Sequence, residues 1–214
     1  MSDAVLQRPQ IKVCGLTNPD DARCATEAGA QMLGFVVADW SPRGVLPSRV
    51  AEILKSLTDP PTTVLVTVGE EARRLEEMAR EAGVDYVQLC GDERPEEFAD
   101  FPFPILRRIG VCEEAHSEIK EWSSVASAFV LDHPSAPGGT GKTVDLSLAR
   151  ELAENYPCIL AGGLSSANVA EAATQVRPLG VDASSKLELK PGHKNPDEVY
   201  RFVTLARKAL EARP

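Results

Sequence analysis

The sequence predicts an α/β fold, a single-domain (β/α)8 TIM barrel, on three observations. Eight short runs rich in β-branched residues are each followed by a stretch of helical periodicity. The runs begin at intervals of about 24 residues, roughly the length of one strand, one helix and two short loops. Glycines and polar side chains gather where the runs end. Eight such units favour a closed barrel, and an open doubly wound sheet is the alternative with the same pattern.

The eight strands are expected to begin near the first residues of these runs. Those residues are Ile11, Met32, Thr63, Asp85, Pro104, Ser127, Pro157 and Leu179. The last helix is expected from Asp197 to Leu210, where apolar side chains recur at helical spacing. Because no linker pattern divides the chain, one domain over residues 1–214 is predicted, with residues 1–9 as a flexible amino-terminal extension.

Capping residues mark the helix boundaries. Asn18 precedes Pro19 and two aspartates, the pattern of an N-cap, a proline at the first helical position and acids in the first turn. Gly29 is expected to end this helix in the left-handed conformation. Gly83 is expected to end a helix in the same way before the fourth strand. Gly180 is expected to do so before the eighth strand, in a less regular form of the same pattern.

Charge and composition exclude several classes of partner. A formal net charge of −9 and a pI near 4.9 leave no broad cationic surface for nucleic acid. No signal-peptide pattern is found, and no apolar run approaches the ~18 residues of a membrane span. A cytoplasmic protein without membrane contact is therefore expected. Five cysteines without a CxxC pair and three scattered histidines indicate neither a disulfide framework nor a metal site.

Two strand ends predict a phosphate site. Function in a barrel lies just beyond the carboxyl ends of the strands, and the loops after strands seven and eight frequently bind phosphate through backbone N–H groups. Gly162-Gly163 follows the seventh strand and Ser184-Ser185 the eighth. The alternative is that the glycines only form a tight turn and the serines cap a helix. Within the barrel, the phosphate site is favoured.

Two further rim residues are candidates for acid–base chemistry. Cys14 follows the first strand and precedes Gly15, so it is expected at the rim, where a thiolate can act as a base. Asp132 ends the sixth strand. Taken singly, such residues are more often a small buried hydrophobe and a helix cap. Together with the phosphate site, they predict an acid–base pair that faces an anion across one cavity.

A glycine-rich loop after the sixth strand offers a competing interpretation. Residues Ala136–Thr143 match a relaxed Walker A pattern, with alanine in place of the first glycine. A nucleotide-binding loop runs into its helix directly from the Lys-Thr pair, whereas Asp145 restarts the chain here as an N-cap. No strand that ends in a Walker B aspartate follows. A nucleotide site is therefore not favoured.

Seven segments in a fixed order carry a resemblance to a known family. They are Lys12–Thr17, Ser41-Pro42-Arg43, Val87-Gln88-Leu89 with Gly91-Asp92, Leu131-Asp132, Gly138–Lys142, Leu160–Leu164 with Asn168-Val169, and Gly180–Ser185, followed by Pro191-Gly192 and Lys194. Over nearly its whole length the chain resembles the phosphoribosylanthranilate isomerases of tryptophan biosynthesis. The resemblance implies a (β/α)8 barrel that performs an Amadori rearrangement of a small phosphosugar, N-(5-phosphoribosyl)anthranilate, without a cofactor or a metal.

The resemblance also implies roles for individual residues. Cys14 matches the family's general base and Asp132 its general acid, which must then be partly protonated near neutral pH. Arg43 matches the arginine that faces the anthranilate, and its planar fork suits a carboxylate. The other implied substrate contacts are Gly162, Gly163, Asp182, Ser184 and Ser185. The assembly is expected to be a monomer or a homodimer.

The chain departs from the family pattern at several positions. Cys90 stands where the family usually has histidine, and Lys186 where it usually has glycine. Lys186 either blocks one backbone approach to the phosphate or adds an ammonium group to it. A barrel that acts on a related sugar phosphate, or only binds one, is the alternative function. Of Arg107 and Arg108 only one can face the cavity, because neighbours on a strand alternate.

Overall fold

The chain folds as the closed barrel that the sequence predicts. The computed structural model describes residues 9–134 and 143–212. Eight parallel strands pair in chain order, and the first pairs with the last. They are β1 Gln10–Val13, β2 Met32–Val36, β3 Thr62–Thr67, β4 Tyr86–Leu89, β5 Ile105–Gly110, β6 Ala128–Asp132, β7 Cys158–Leu160 and β8 Gly180–Ala183. Each strand begins within one residue of its expected start.

Seven α-helices lie outside the strands in the described part of the chain. They are α1 Pro19–Ala28, α2 Pro47–Lys55, α3 Ala72–Ala82, α4 Ala115–Trp122, α5 Leu146–Asn155, α6 Val169–Val176 and α7 Pro196–Glu211. None of these helices combines the length and apolar character needed to cross a membrane. After β8 the chain forms a short 3-10 helix, Ser185–Leu187, and an antiparallel pair, β9 Glu188–Lys190 and β10 His193–Lys194.

Two sequence predictions fall wholly or partly outside the described residues. Residues 1–8 of the expected amino-terminal extension are not described, although Pro9 is. Of the glycine-rich loop, residues 135–142 are likewise not described, and the description resumes at Thr143. The N-cap after that loop is confirmed, because the Asp145 carboxylate accepts hydrogen bonds from the N–H groups of Ser147 and Leu148 at 2.8 and 3.2 Å.

Most of the other capping predictions are confirmed. The Asn18 side chain accepts a hydrogen bond from the Asp21 N–H at 2.9 Å, and α1 ends at Gly29 with a φ of 88°. Gly83 ends α3 in the same way, with a φ of 70°. Both glycines adopt the left-handed conformation that other residues adopt only at a cost.

The prediction for Gly180 was wrong. Helix α6 ends at Arg177, which is itself left-handed with a φ of 55°. Gly180 is instead the first residue of β8 and pairs with Gln10 of β1. A Cβ atom at this position would collide with the Gln10 carbonyl oxygen. The glycine therefore serves the close approach of the two strands that close the barrel.

The unit between β4 and β5 departs from the regular pattern. It contains a single 3-10 helix, Pro95–Phe98, where the other units have an α-helix. Three prolines, Pro95, Pro102 and Pro104, fall in this short connection. Because proline lacks the N–H donor and clashes with the preceding turn, a longer α-helix cannot form here.

Apolar side chains fill both the barrel interior and the layer between strands and helices. The interior cluster contains Met32, Val64, Val66, Tyr86, Leu106, Ala128, Val130 and Ile159, together with Cys14 and Ala161. A larger cluster packs the helices against the outer face of the strands. These side chains fill the interior of the barrel, and a cavity opens at the carboxyl ends of the strands.

We expect Gly83→Ala to lower the free energy of unfolding by about 1 kcal/mol, because an L residue is strained at this φ. No atom lies within 4 Å of the added Cβ, so strain is the only effect. Thermal unfolding should show a midpoint lower by about 2–4 °C. Gly83→Asn, which tolerates this conformation better, should lose less. Equal stability of the alanine variant and the parent would contradict the assignment.

Candidate active site

One cavity at the carboxyl ends of the strands collects all eight residues that the sequence singles out as catalytic or binding. Cys14, Arg43, Asp132, Gly162, Gly163, Asp182, Ser184 and Ser185 all line it. They come from β6 and β8 and from the segments that follow β1, β2, β7 and β8. Barrel closure therefore joins residues that are far apart in the chain, and their common location agrees with the predicted site.

The thiol of Cys14 is buried at the wall of this cavity, with an exposed fraction of 7%. Its N–H donates to the Ala183 carbonyl at 2.9 Å, which ties the residue to β8. On the other side lies Gly34 of β2, where an added Cβ would come within 2.8 Å of the Cys14 sulfur. The missing side chain of Gly34 thus leaves the space that the thiol occupies.

Asp132 lies at the end of β6 with one oxygen held by the backbone. Its Oδ1 accepts a hydrogen bond from the His133 N–H at 2.7 Å. Its Oδ2 lies 3.7 Å from Nε of Arg108. Arg108 lines the same cavity, whereas Arg107 points to the outside, where it pairs with Glu93 and Glu118. The alternation expected for neighbours on a strand therefore selects Arg108.

A buried ion pair crosses from β1 to β8 beneath the cavity. Nζ of Lys12 lies 2.8 Å from Oδ2 of Asp182, and the Lys12 side chain is fully buried. Burial lowers the pKa of Lys12, but the Asp182 carboxylate and Cys14 together outweigh this effect, so the pKa is raised and the ammonium stays charged. Oδ1 of Asp182 is buried and has no hydrogen-bond partner among the described residues. This oxygen belongs to a cavity-lining residue and is available to a hydroxyl donor.

Arg43 does not stand free in the cavity. Its Nε and Nη2 donate to the two carboxylate oxygens of Glu188 at 2.9 and 2.8 Å. Lys194, also buried, donates to Oε1 of Glu188 at 2.9 Å. Burial opposes the charged form of Glu188, but these two cations lower its pKa. One carboxylate is thus shared by two cations, which leaves this end of the cavity positive.

The predicted phosphate corner has a backbone suited to an anion. Gly162 and Gly163 both have positive φ, 81° and 66°, which only glycine adopts readily in succession. The Asn168 side chain donates to the Gly163 carbonyl at 3.2 Å and accepts from the Ser165 N–H at 2.8 Å. Asn168 therefore fixes the orientation of the peptide groups in this turn.

Across the corner, Ser184 and Ser185 lead into the short 3-10 helix. Nζ of Lys194 donates to the Ser184 carbonyl at 3.2 Å, which anchors this segment from below. Lys186 is exposed and lines the cavity. Its φ is not positive, so its side chain occupies the usual glycine position of the family without backbone strain.

Cys90 gives the cavity a second thiol. Nε2 of Gln88 donates to its sulfur at 3.3 Å. Burial raises the pKa of Cys90 to about 12, and the Gln88 hydrogen bond offsets this only in part. The thiol is therefore neutral at physiological pH and cannot replace a titrating histidine. In residues 9–134 and 143–212, no group of three or more His, Cys, Asp or Glu side chains is arranged to hold a metal ion.

Sequence reasoning assigned no role to four charged residues that build the site. These are Lys12, Arg108, Glu188 and Lys194. A signal was present for Lys12, since a lysine within a short apolar strand must be paired when the strand is buried. The partners of the others become visible only when the barrel closes.

The comparisons with known proteins agree with this geometry. The family model described as N-(5'-phosphoribosyl)anthranilate (PRA) isomerase matches residues 11–205. An N-(5'-phosphoribosyl)anthranilate isomerase from Pelobacter propionicus is 38% identical over 200 residues, which are 92% of this chain and 95% of the relative.

Solved structures give the same result. The phosphoribosyl anthranilate isomerase from Thermotoga maritima superposes with a TM-score of 0.87 at 31% identity, over 94% of this chain and 99% of the other. A phosphoribosyl anthranilate isomerase in complex with reduced 1-(o-carboxyphenylamino)-1-deoxyribulose 5-phosphate gives a TM-score of 0.82 at 29% identity, over 94% and 99% of the two chains. This chain therefore belongs to the N-(5'-phosphoribosyl)anthranilate isomerase family.

Proposed function

We propose that this protein is an isomerase that converts N-(5'-phosphoribosyl)anthranilate to 1-(2-carboxyphenylamino)-1-deoxyribulose 5-phosphate in tryptophan biosynthesis. The observation that carries the proposal is that a member of this family has a thiol, a carboxyl group and a glycine–serine corner in one cavity. The reaction is an Amadori rearrangement, which needs one general acid, one general base and binding contacts to both anionic groups of the substrate.

In the proposed reaction, Asp132 is the general acid. It donates a proton to the furanose ring oxygen, the bond from that oxygen to C1 breaks, and the anthranilate nitrogen supplies its electron pair to form a protonated Schiff base. The hydrogen bond from the His133 N–H to Oδ1 supports this role, because it fixes the carboxyl group at the cavity wall.

Cys14 is the proposed general base. Its thiolate removes the proton from C2, and the electrons of that C–H bond pass into the protonated imine to give an enolamine. The enolamine then gains a proton at C1 and loses the C2 hydroxyl proton, which leaves the ketone product. Because the imine of the substrate accepts the electrons, the net change is an isomerisation and no redox cofactor takes part.

Donor groups that line the cavity support binding of the two anionic groups of the substrate. The positive φ glycines, Ser184-Ser185 and the Lys186 ammonium form the proposed phosphate site. Arg43, whose side chain lies close to Ser184 beside Gly15, is the proposed partner of the anthranilate carboxylate. Its Nε and Nη2 are engaged by Glu188, so we propose that Nη1 makes this contact. The unpartnered Oδ1 of Asp182 is the proposed acceptor for a sugar hydroxyl.

A barrel that binds a sugar phosphate without turnover is the alternative, and it is not favoured. Binding alone does not require a thiol and a carboxyl group in the same cavity. The assembly, a monomer or a homodimer, stays a prediction, as does a cytoplasmic location.

The function is tested by the loss of anthranilate-type fluorescence when phosphoribosylanthranilate is generated in the presence of the protein. We expect turnover, and we expect Cys14→Ala and Asp132→Asn each to lower kcat by roughly 10²- to 10⁴-fold, the usual contribution of a general acid or base. Asp39→Asn, at an exposed rim carboxyl outside the cavity lining, is the matched control. Rates near the parent's for the first two variants would refute the assigned roles.

The phosphate corner is tested at Lys186. Replacement by methionine removes an ammonium near the phosphate but keeps the side-chain length, so inhibition by inorganic phosphate should weaken by about threefold, and by more at low salt. Lys190→Met removes a charge from the neighbouring exposed strand β9 and should leave inhibition unchanged. If both variants respond alike, Lys186 acts only through the general field of the protein.

A further inference from the structure

The fully buried Lys12 is the most unusual group in the barrel that the proposed reaction leaves without a role. Its side chain has no exposed surface, and the interior around it is otherwise mainly apolar. Moving an ammonium and a carboxylate out of water costs free energy that their attraction often fails to recover. A pair of apolar side chains would be at least as stable at this position, so stability does not explain the Lys12–Asp182 pair.

The position of Lys12 relative to Cys14 offers an explanation. Lys12 lies on β1 and Cys14 directly follows that strand, two positions further on, so both side chains point into the barrel. Lys12 is in register with Asp182 of β8, and the pair measures 2.8 Å. The carboxylate therefore holds the ammonium at the layer beneath the cavity, where its charge acts on the Cys14 sulfur.

The charges around the cavity leave room for one more anion. Among the described residues that line or underlie it and are not exposed, four cations, Lys12, Arg43, Arg108 and Lys194, accompany three carboxylates, Asp132, Asp182 and Glu188. An ionised Cys14 would balance this surplus. The neutral thiol leaves it unbalanced.

Burial and charged groups on three strands act on the pKa of Cys14. Burial raises its pKa most strongly, the Lys12 ammonium on β1 opposes that effect, Asp182 on β8 adds to it, and Lys194 on β10 opposes it. Cys90, which directly follows β4, is a second thiol that packs against the same interior cluster. Of the two opposing cations, Lys12 has the larger effect on the pKa of Cys14.

We propose that Lys12 is a positioning residue for the proposed reaction: its ammonium, held by Asp182, stabilises the thiolate of Cys14 on which proton removal depends. The inference rests on the proposed function for its catalytic meaning only. The coupling between ammonium and thiol is a property of the free protein and is measured without substrate.

The test measures the rate of alkylation of each cysteine by iodoacetamide as a function of pH, with each cysteine followed as a separate peptide by mass spectrometry. Only the thiolate reacts, so the rate reports its population. In Lys12→Met we expect the Cys14 rate at pH 8 to fall by about tenfold or more, which is the effect of one pKa unit. Lys12→Arg, which keeps the charge, should restore most of it. Cys24, half-buried on α1, is the internal reference and should not change.

Lys12→Met leaves the buried Asp182 carboxylate without its partner, which can destabilise the fold. A second variant, Lys12→Met/Asp182→Asn, therefore removes both charges, and its Cys14 rate should also lie below the parent's. An unchanged Cys14 rate in either folded variant would overturn the proposal, and so would a failure of arginine to restore it. If the parent protein shows no isomerase turnover but the alkylation shift is present, the proposed function falls and the coupling stands. If turnover is present without the shift, only the coupling falls.

Discussion

The ion pair between Lys12 and Asp182 is the interaction on which the site depends. It joins the first strand to the last across 170 positions of sequence, at the register where the barrel closes. The same closure places Ala183 beside Cys14, and the pairing of β1 with β2 places Gly34 on its other side. The pair buries charge at a cost in free energy, next to the thiol that we propose as the base. The closure of the barrel and the proposed chemistry thus both depend on the contact between β1 and β8.

Much of the fold can be predicted from the sequence, because residue patterns that are local in the chain specify the strands and the helix ends. Strand starts follow from β-branched runs, and helix ends follow from Gly29, Gly83 and Asp145, whose signals lie within a few residues of the structure they specify. The candidate site is also readable, because barrel geometry sends every strand end to one face. Once the barrel was assumed, Cys14 and Asp132 could be expected in the same cavity.

What escaped prediction is non-local. Arg43 suits a free carboxylate by its chemistry, yet its fork is occupied by Glu188, 145 positions away, which no local pattern indicates. Gly180 looked like a helix end, but its missing side chain accommodates Gln10 of another strand. Both outcomes depend on which strands meet when the barrel closes. In the proposed function, the substrate therefore binds to a charge network that is already paired, and only the remaining donors and acceptors of this network are available to it.

A crystal structure of the protein with the reduced product analogue tests the account most directly. The account predicts the phosphate against Gly163 and Ser185, the aromatic carboxylate near Arg43, and the sugar carbons between the Cys14 sulfur and the Asp132 carboxyl group. An analogue bound in the reverse direction, or one whose C2 lies out of reach of the Cys14 sulfur, would contradict it.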